Sequence, residues 1–505
     1  MENRGVDVDG LELVAALADV VGAAHVTSGA TVNPDDTGDE SLTVPSGAPR
    51  AVVRPSSTAE VAAIVDLARH HGFPLTPRGA GTGLSGGATP PTDGVVVAFD
   101  RMAAILELDT ANHVAVVQPG VTLATLESAL APLGLVYPVF PGELSASIGG
   151  NVATNAGGMR AVKYGVTRHH VLGLELVLGT GEVVRTGGRF VKATSGYDLT
   201  QLVLGSEGTL ALVTEATLRL HPRPPHATTV LAPFASLRAV SAAVPAVVSS
   251  GTDPMIVEYI DLVSMAGITQ TAGIELGIPD QVRDQALAYL VVTLEQHRLD
   301  RLDEDVEALA TLLASLGALD VYVLPGPAGA ALITARERAF WAAKAAGAND
   351  IVDVVVPRAS IPDYLERVGL LGAEAGALVI GCGHAGDGNV HLSVFEPDPE
   401  ACHRLVHAIA AAGVELGGAV SGEHGIGRAK RDIYVALEDP AKLALMRRLK
   451  RAFDPAGILN PGALLPPTPP EPGTSPTRAD HQRGAPGRAD GAAGRLDGAK
   501  ETSPT

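Results

Sequence analysis

The chain has 505 residues, 46% of them hydrophobic, which is enough for two or three domains and a large buried core. Its 37 basic residues are outnumbered by 56 acidic ones, giving a formal net charge of -19. That balance excludes a nucleic-acid surface, which needs a basic face to displace counterions.

Residues 1–19 carry acidic residues where a secretion signal would need a basic start. Residues 56–72 predict a capped helix: Ser57 and Thr58 precede Glu60, and Val61, Ile64, Val65 and Ala68 repeat at helical spacing. A short strand at 73–76 leads into a glycine-rich loop. Strands are expected at 95–99 and 114–118, with a helix at 123–131. Residues 141–158, rich in Gly, Ser and Asn, predict a long polar loop. Strands at 171–178 and 182–185 flank Gly179-Thr180-Gly181, a hairpin signal. Strand-rich residues 209–220 end at His221-Pro222-Arg223-Pro224-Pro225, a domain boundary by composition. From 227 to 418, strands alternate with Ala-rich helices such as 303–315 and 330–347. A last helix stops near Phe453 at Asp454-Pro455. Beyond Pro466 the chain is Pro, Gly, Ala and charge, with Leu496 its one large aliphatic residue, so the tail is expected to be disordered.

The uncharged runs at 144–159 and 321–335 are shorter than a bilayer span and broken by Gly or Pro. Two cysteines, Cys382 and Cys402, are too few for a disulfide framework or a Cys-based cluster. A cytoplasmic protein is therefore expected; a peripheral contact with the inner face of the membrane and a homodimer are left open.

Residues 77–90 read PRGAGTGLSGGATP. Gly81, Gly83 and Gly86 satisfy G-x-G-x-x-G, but Pro90 and Pro91 follow at once. No helix can grow from the loop, as a Rossmann turn requires. No Gly-Lys-Ser/Thr occurs either, which excludes a Walker loop. What remains is a loop able to place bare backbone N–H groups around an anion, because glycine permits positive φ and close approach. A second segment, residues 145–158, reads SASIGGNVATNAGG and supplies small residues, hydroxyls and carboxamides. A third, GSEGTL at 205–210, would by itself read as a turn.

Residues 383–395 read GHAGDGNVHLSVF. His384 precedes a glycine-rich turn and His391 lies on the following strand, where Val390, Leu392 and Val394 point to the opposite face. In SGEHGIGR, residues 421–428, Glu423 can complete a set of two histidines and one carboxylate with open positions for water or substrate. The zinc-protease pattern H-E-x-x-H is absent. Cys382 reads as a buried structural thiol.

Taken together, the glycine segments resemble the vanillyl-alcohol-oxidase (PCMH-type) FAD domain. The match includes YGVTRHHVLGLELVLGTGEVV, which follows the second segment, and GSEGTLALVTEATLRLHP at the third. Within that group the chain looks most like the glycolate oxidase large subunit and bacterial D-lactate dehydrogenases, over about residues 40–465. The resemblance implies an α+β protein with an FAD-binding domain at 1–222 and an α+β substrate (cap) domain at 223–420. A C-terminal segment at 421–465 would return to the FAD, and 466–505 would form the disordered tail.

FAD would be bound non-covalently. Arg78, Gly79, Ala80, Gly81, Thr82, Gly83, Leu84, Ser85, Gly86 and Gly87 would wrap its pyrophosphate. Ser145, Ser147, Ile148, Gly150, Thr154 and Gly158 would line the flavin and ribityl chain. Glu207, Gly208 and Val213 would lie on the adenine side, and Asn460 would return to the flavin. By the same resemblance, His384, His391 and Glu423 would hold a divalent metal (Zn, Mn or Fe) and His424 would be the base. Asn389 would lie beside the substrate, and Arg336 would hold its carboxylate.

The implied reaction oxidises a short D-2-hydroxy acid, glycolate or D-lactate, by hydride transfer to flavin N5. Electrons would pass to a quinone, a cytochrome or an electron-transfer flavoprotein. D-2-hydroxyglutarate is the alternative substrate, but the lysine of that branch falls near Ile351 here. A non-redox transferase of the alkyl-dihydroxyacetone-phosphate synthase type is the other alternative. There a His-rich stretch stands where this chain has Gly422-Glu423-His424-Gly425.

Overall fold

Runs of β-branched residues set the sheets of the computed structural model, which describes residues 10–467. Ala51–Val53 and Val95–Ala98 are buried along their whole length, as parallel strands covered on both faces require. They pair in parallel with each other, and Leu75–Arg78 joins them in a four-stranded sheet completed by Val26–Thr27. The linking helix, Thr58–His71, is the predicted one. The Ser57 side chain accepts the Glu60 N–H, Gly72 ends the helix at φ 72, and Val61, Ile64, Val65 and Ala68 are buried. The free edge of this sheet is closed from the far end of the chain. Leu75 N donates to Ile458 O at 2.8 Å, and Asn460 N donates to Leu75 O at 2.7 Å.

A five-stranded antiparallel sheet follows, in the order Ile105–Asp109, Val114–Val117, Ala211–Arg219, Val171–Leu178 and Val183–Gly187. The last two strands form the hairpin expected at Gly179-Thr180-Gly181. A seven-stranded antiparallel sheet then carries the order Tyr322–Leu324, His226–Phe234, Ala288–Gln296, Ile256–Asp261, Leu378–Gly383, Asn389–Phe395 and Asp350–Val355.

Alternation along these strands divides the third sheet into two faces. On one face Val230, Val292, Val352, Val390, Leu392 and Val394 pack with Val240, Leu309, Tyr364 and Ile409 from four helices. On the other, Leu231, Ile260, Val291 and Cys382 meet Met265 and Ile268 of helix Leu262–Ala272 and Leu332 of helix Gly326–Glu337. Glu258, Asp353 and His391, which alternate with residues of the first face, emerge on this second face.

Two elements differ from the sequence reading. The polar loop expected at 141–158 contains a helix, Ile148–Thr154, capped by Ser147 and ended by Asn155 at φ 52. Glycine disfavours a helix by about 1 kcal/mol, but here small residues are needed for packing: a Cβ on Gly149 would lie 2.7 Å from Pro119 Cβ. The helix expected at 330–347 is two, Gly326–Glu337 and Ala339–Ala345, broken at Arg338. Arg336 and Phe340, four residues apart on either side of the break, border one cleft. The expectation of a disordered tail falls outside the described residues, apart from its first positions. Among the described residues no helix is long and apolar enough to cross a membrane.

Candidate active site

Strand Leu75–Arg78 runs into the glycine loop, and the next element is strand Val95–Ala98 rather than a helix. The loop is held from behind. Asp39 accepts the N–H groups of Gly86 (3.1 Å) and Ala88 (3.3 Å), and Asn460 Nδ2 donates to Gly87 O (2.9 Å) and Glu207 O (2.8 Å). The backbone N–H groups of residues 80–85 find no acceptor among the described residues. Gly81 sits at φ 77, a conformation that favours glycine. Gly79 packs so closely that a Cβ would lie 2.2 Å from Ser147 Oγ. The loop walls a solvent-open cleft of about 1350 Å³, with Ser147, Gly150 and Thr154 on one side and Glu207, Gly208 and Val213 on another. A run of unpartnered N–H donors on closely approaching backbone suits a diphosphate, so the residues present fit FAD.

Not every predicted cofactor residue borders this cleft. Ile148 is fully buried in the apolar core. The Arg78 guanidinium turns to Asp35 O at 2.6 Å, and Ser145 bonds to Glu143. Gly86 and Asn460 act from behind the loop, and Gly158 borders a second cleft.

The second cleft, about 1260 Å³ and also open to solvent, shares Leu84, Glu423 and His424 with the first. Strand register builds its floor. Asp353 pairs with His391, His391 with Cys382, and Cys382 with Ile260. Because Val390 and Leu392 enter the core, His391 faces the cleft, as period-two alternation predicts. His384 Nε2 lies 3.1 Å and His391 Nε2 3.3 Å from Glu423 Oε1. One ligand atom from each of the three lies within 4.8 Å of the others. His391 Nε2 is buried without a hydrogen-bond partner. Two imidazoles and a carboxylate around one focus are a donor set for a divalent ion, so the predicted trio fits a metal.

Behind this trio stand residues that the sequence reading missed. Glu258, fully buried, contacts His384 Nδ1 at 2.5 Å and forms an ion pair with Arg336 Nη2 at 2.8 Å. That pair is not aligned as a hydrogen bond, and Arg336 Nε and Nη2 remain without hydrogen-bond partners at the cleft. Asp353, also fully buried, accepts the Ser421 hydroxyl and the N–H groups of Gly422, Glu423 and His424 on Oδ2. Its Oδ1 accepts Asn389 Nδ2 at 2.9 Å. Asn389 therefore stands behind the cluster, off the cleft wall. Both acids had a signal in the sequence: a carboxylate flanked by apolar residues within a strand, in IVEYID and DIVDVV.

The charges follow from these contacts. Burial disfavours protonated His384, but Glu258 and Glu423 outweigh it and hold its pKa well above the usual 6.5. Burial would raise Glu423, yet His384 and His391 keep it well below the usual carboxylate range. Burial pushes His424 down to about 4 against the pull of Asp353, so its ring is neutral near pH 7. Burial also raises the Cys382 thiol, in keeping with an unreactive cysteine.

Glu207 ties the two clefts together. At φ 53 its carboxylate accepts the N–H groups of Ile426 (2.8 Å) and Gly427 (2.7 Å), just beyond His424. Burial raises its pKa to about 7, despite those bonds. A carboxyl whose folded pKa exceeds its unfolded value stabilises the fold below the unfolded pKa and loses that contribution as pH rises through the folded one. Glu207→Gln lacks this titration. Its melting temperature, offset by one altered hydrogen bond, is expected to rise relative to the parent between about pH 5 and pH 8. A difference that stays constant over this range would show that Glu207 titrates normally.

Comparison with known proteins agrees with this geometry. Residues 49–187 match the family described as FAD binding domain, and residues 223–464 match FAD linked oxidases, C-terminal domain. An FAD-linked oxidoreductase of Mycobacterium tuberculosis, named as uncharacterized, is 55% identical over 90% of this chain and 99% of its own length. A D-lactate dehydrogenase of Archaeoglobus fulgidus is 37% identical over 84% of this chain and 94% of its own. Among solved structures, 4-ethylphenol oxidase from Gulosibacter chungangensis superposes with a TM-score of 0.74 at 20% identity, covering 92% of this chain and 98% of that one. At that identity the likeness is one of fold.

Proposed function

The chain belongs to the FAD-linked oxidases, a family of FAD-dependent oxidoreductases, and from that premise we propose that it oxidises a D-2-hydroxy acid to the 2-oxo acid, glycolate and D-lactate being the smallest candidates. The observation that carries this reading is the meeting of the two clefts at Glu423 and His424. A substrate in the second cleft can there touch a base, a cation and a cofactor in the first.

Arg336, which borders the cleft and whose Nε has no hydrogen-bond partner, binds the substrate carboxylate, while its Nη2 stays ion-paired with Glu258. His424, neutral and buried, takes the hydroxyl proton. Asp353 holds the backbone of 422–424, so that the ring stays in place as the proton arrives. A divalent ion on His384, His391 and Glu423 would lower the pKa of a hydroxyl bound to it. FAD, when bound, supplies the acceptor for the two electrons that leave C2 with its hydrogen. The unpartnered N–H groups of residues 80–85 bind its diphosphate. A quinone, cytochrome or electron-transfer flavoprotein would take the electrons onward.

The purified protein is expected to be yellow, to release FAD on denaturation, and to bleach anaerobically with glycolate or D-lactate. Absorbance near the flavin band reads both properties. A colourless protein that cannot be reconstituted with FAD would overturn the reading. So would faster bleaching by L-lactate than by D-lactate, glycolate and D-2-hydroxyglutarate alike.

A further inference from the structure

The lining of the second cleft extends past the groups that would hold a two- or three-carbon acid. Its catalytic end is formed by Arg336, His384, His391, Glu423 and His424. The rest of its wall is mainly apolar and comes from two helices, the sheet and loop residues such as Leu84, Pro141 and Met159. Helix Leu262–Ala272 contributes Val263 and Ile268, helix Ala339–Ala345 contributes Phe340 and Ala343, and the sheet contributes Ile380 and Phe395. Outside the catalytic cluster, no Lys, Arg or His borders this cleft among the described residues, and its one further carboxyl is Glu337. Lys344, on the helix that carries Phe340, pairs with Glu40 at 2.6 Å, and Arg160, whose charge acts on Glu337, does not line the cleft.

A wall of this kind rewards an apolar substituent and penalises a second carboxylate, which would be desolvated without a cation. Resting on the reading above, we propose that the cleft selects 2-hydroxy acids whose C2 carries an extended alkyl chain. Arg336 and the histidine cluster hold the acid end, and the chain lies between the two helices and the sheet. Glycolate and lactate then fill only the catalytic end, and D-2-hydroxyglutarate is a poor substrate.

The test uses the FAD-loaded protein and a series of glycolate, D-lactate, D-2-hydroxyhexanoate, D-2-hydroxyoctanoate and D-2-hydroxyglutarate. kcat/KM is expected to rise by about fourfold per methylene added beyond lactate until the chain fills the cleft, with D-2-hydroxyglutarate below D-2-hydroxyhexanoate. Calorimetry with butanoate, hexanoate and octanoate, which carry no hydroxyl to oxidise, gives a second reading. Their Kd should tighten with length, and the heat-capacity change should become more negative. Gly267 borders the cleft and has nothing within 4 Å of a built Cβ, so Gly267→Phe directs a bulky side chain from an uncrowded position toward the cleft. It should lower the ratio of kcat/KM for D-2-hydroxyoctanoate to that for D-lactate by about tenfold or more. Values of kcat/KM and Kd that are flat or worsen with chain length would overturn the proposal. If no acid bleaches the flavin yet alkanoate affinity follows chain length, the oxidation reading fails while the apolar cleft stands.

Discussion

His424→Ala is expected to slow anaerobic flavin reduction by about 10²–10⁴-fold, the usual contribution of a positioned general base. The variant should retain its FAD and its metal. His424 borders both clefts but is not one of the three residues focused on Glu423 Oε1. Its neighbour Glu423 is, and Asp353 holds the backbone N–H of both residues in succession. His384→Ala and His391→Ala should behave differently. Each should lower metal content with the rate falling in parallel, and added divalent ion should partly restore the rate. Metal analysis beside single-turnover flavin reduction separates the roles. Loss of metal from His424→Ala would reverse the assignment of base and ligand. A parent protein without a divalent ion, and indifferent to chelators, would remove the metal from the mechanism.

Asp353→Ala is expected to cost both stability and rate. The carboxylate accepts hydrogen bonds from Ser421, Asn389 and three consecutive backbone N–H groups, all in a fully buried setting. Each orphaned buried donor costs about 1–3 kcal/mol, and removing one member of a buried charged network typically costs about 3–5 kcal/mol. A marked fall in denaturation midpoint should follow. The loop carrying Glu423 and His424 would relax, and displacement of a catalytic group by about 1 Å can cost about 10²-fold in rate. Asp353→Asn keeps the shape and one acceptor oxygen, so it should fall between the parent and Asp353→Ala on both measures. Chemical denaturation paired with flavin reduction checks this. An Asp353→Ala protein as stable as the parent would show that the network does not hold the loop.

The glycine loop was legible because a local fact excluded the commoner alternative: Pro90 and Pro91 forbid the helix that a dinucleotide turn needs, whatever the rest of the chain does. His391 was legible for a similar reason. The side-chain period of a strand is two, so apolar Val390, Leu392 and Val394 already direct it to the other face. The pairing of His384 and His391 with Glu423 followed from residue type and resemblance, and the coordinates bring the three together.

Other features depended on contacts between distant residues. Glycine and polar composition argued for a loop at 141–158, but Ile148–Thr154 is a helix whose Gly149 packs closely against Pro119. Local propensity is weak beside such tertiary contacts. Glu258 and Asp353 carried a signal, an acid flanked by apolar strand residues, but a buried acid acquires a role only from its partners. Those partners are His384 and Arg336 for Glu258, and the backbone of 422–424 for Asp353. Antiparallel register across four strands set Asp353, His391, Cys382 and Ile260 side by side. Register is a property of strand pairing, so the sequence of any one strand does not contain it. By itself, then, the sequence determined which residue types carry the chemistry and which strand face they take. Only the tertiary structure decided which carboxylate stands behind which histidine, and that the wall beyond them is apolar, because both depend on which strands and helices become neighbours.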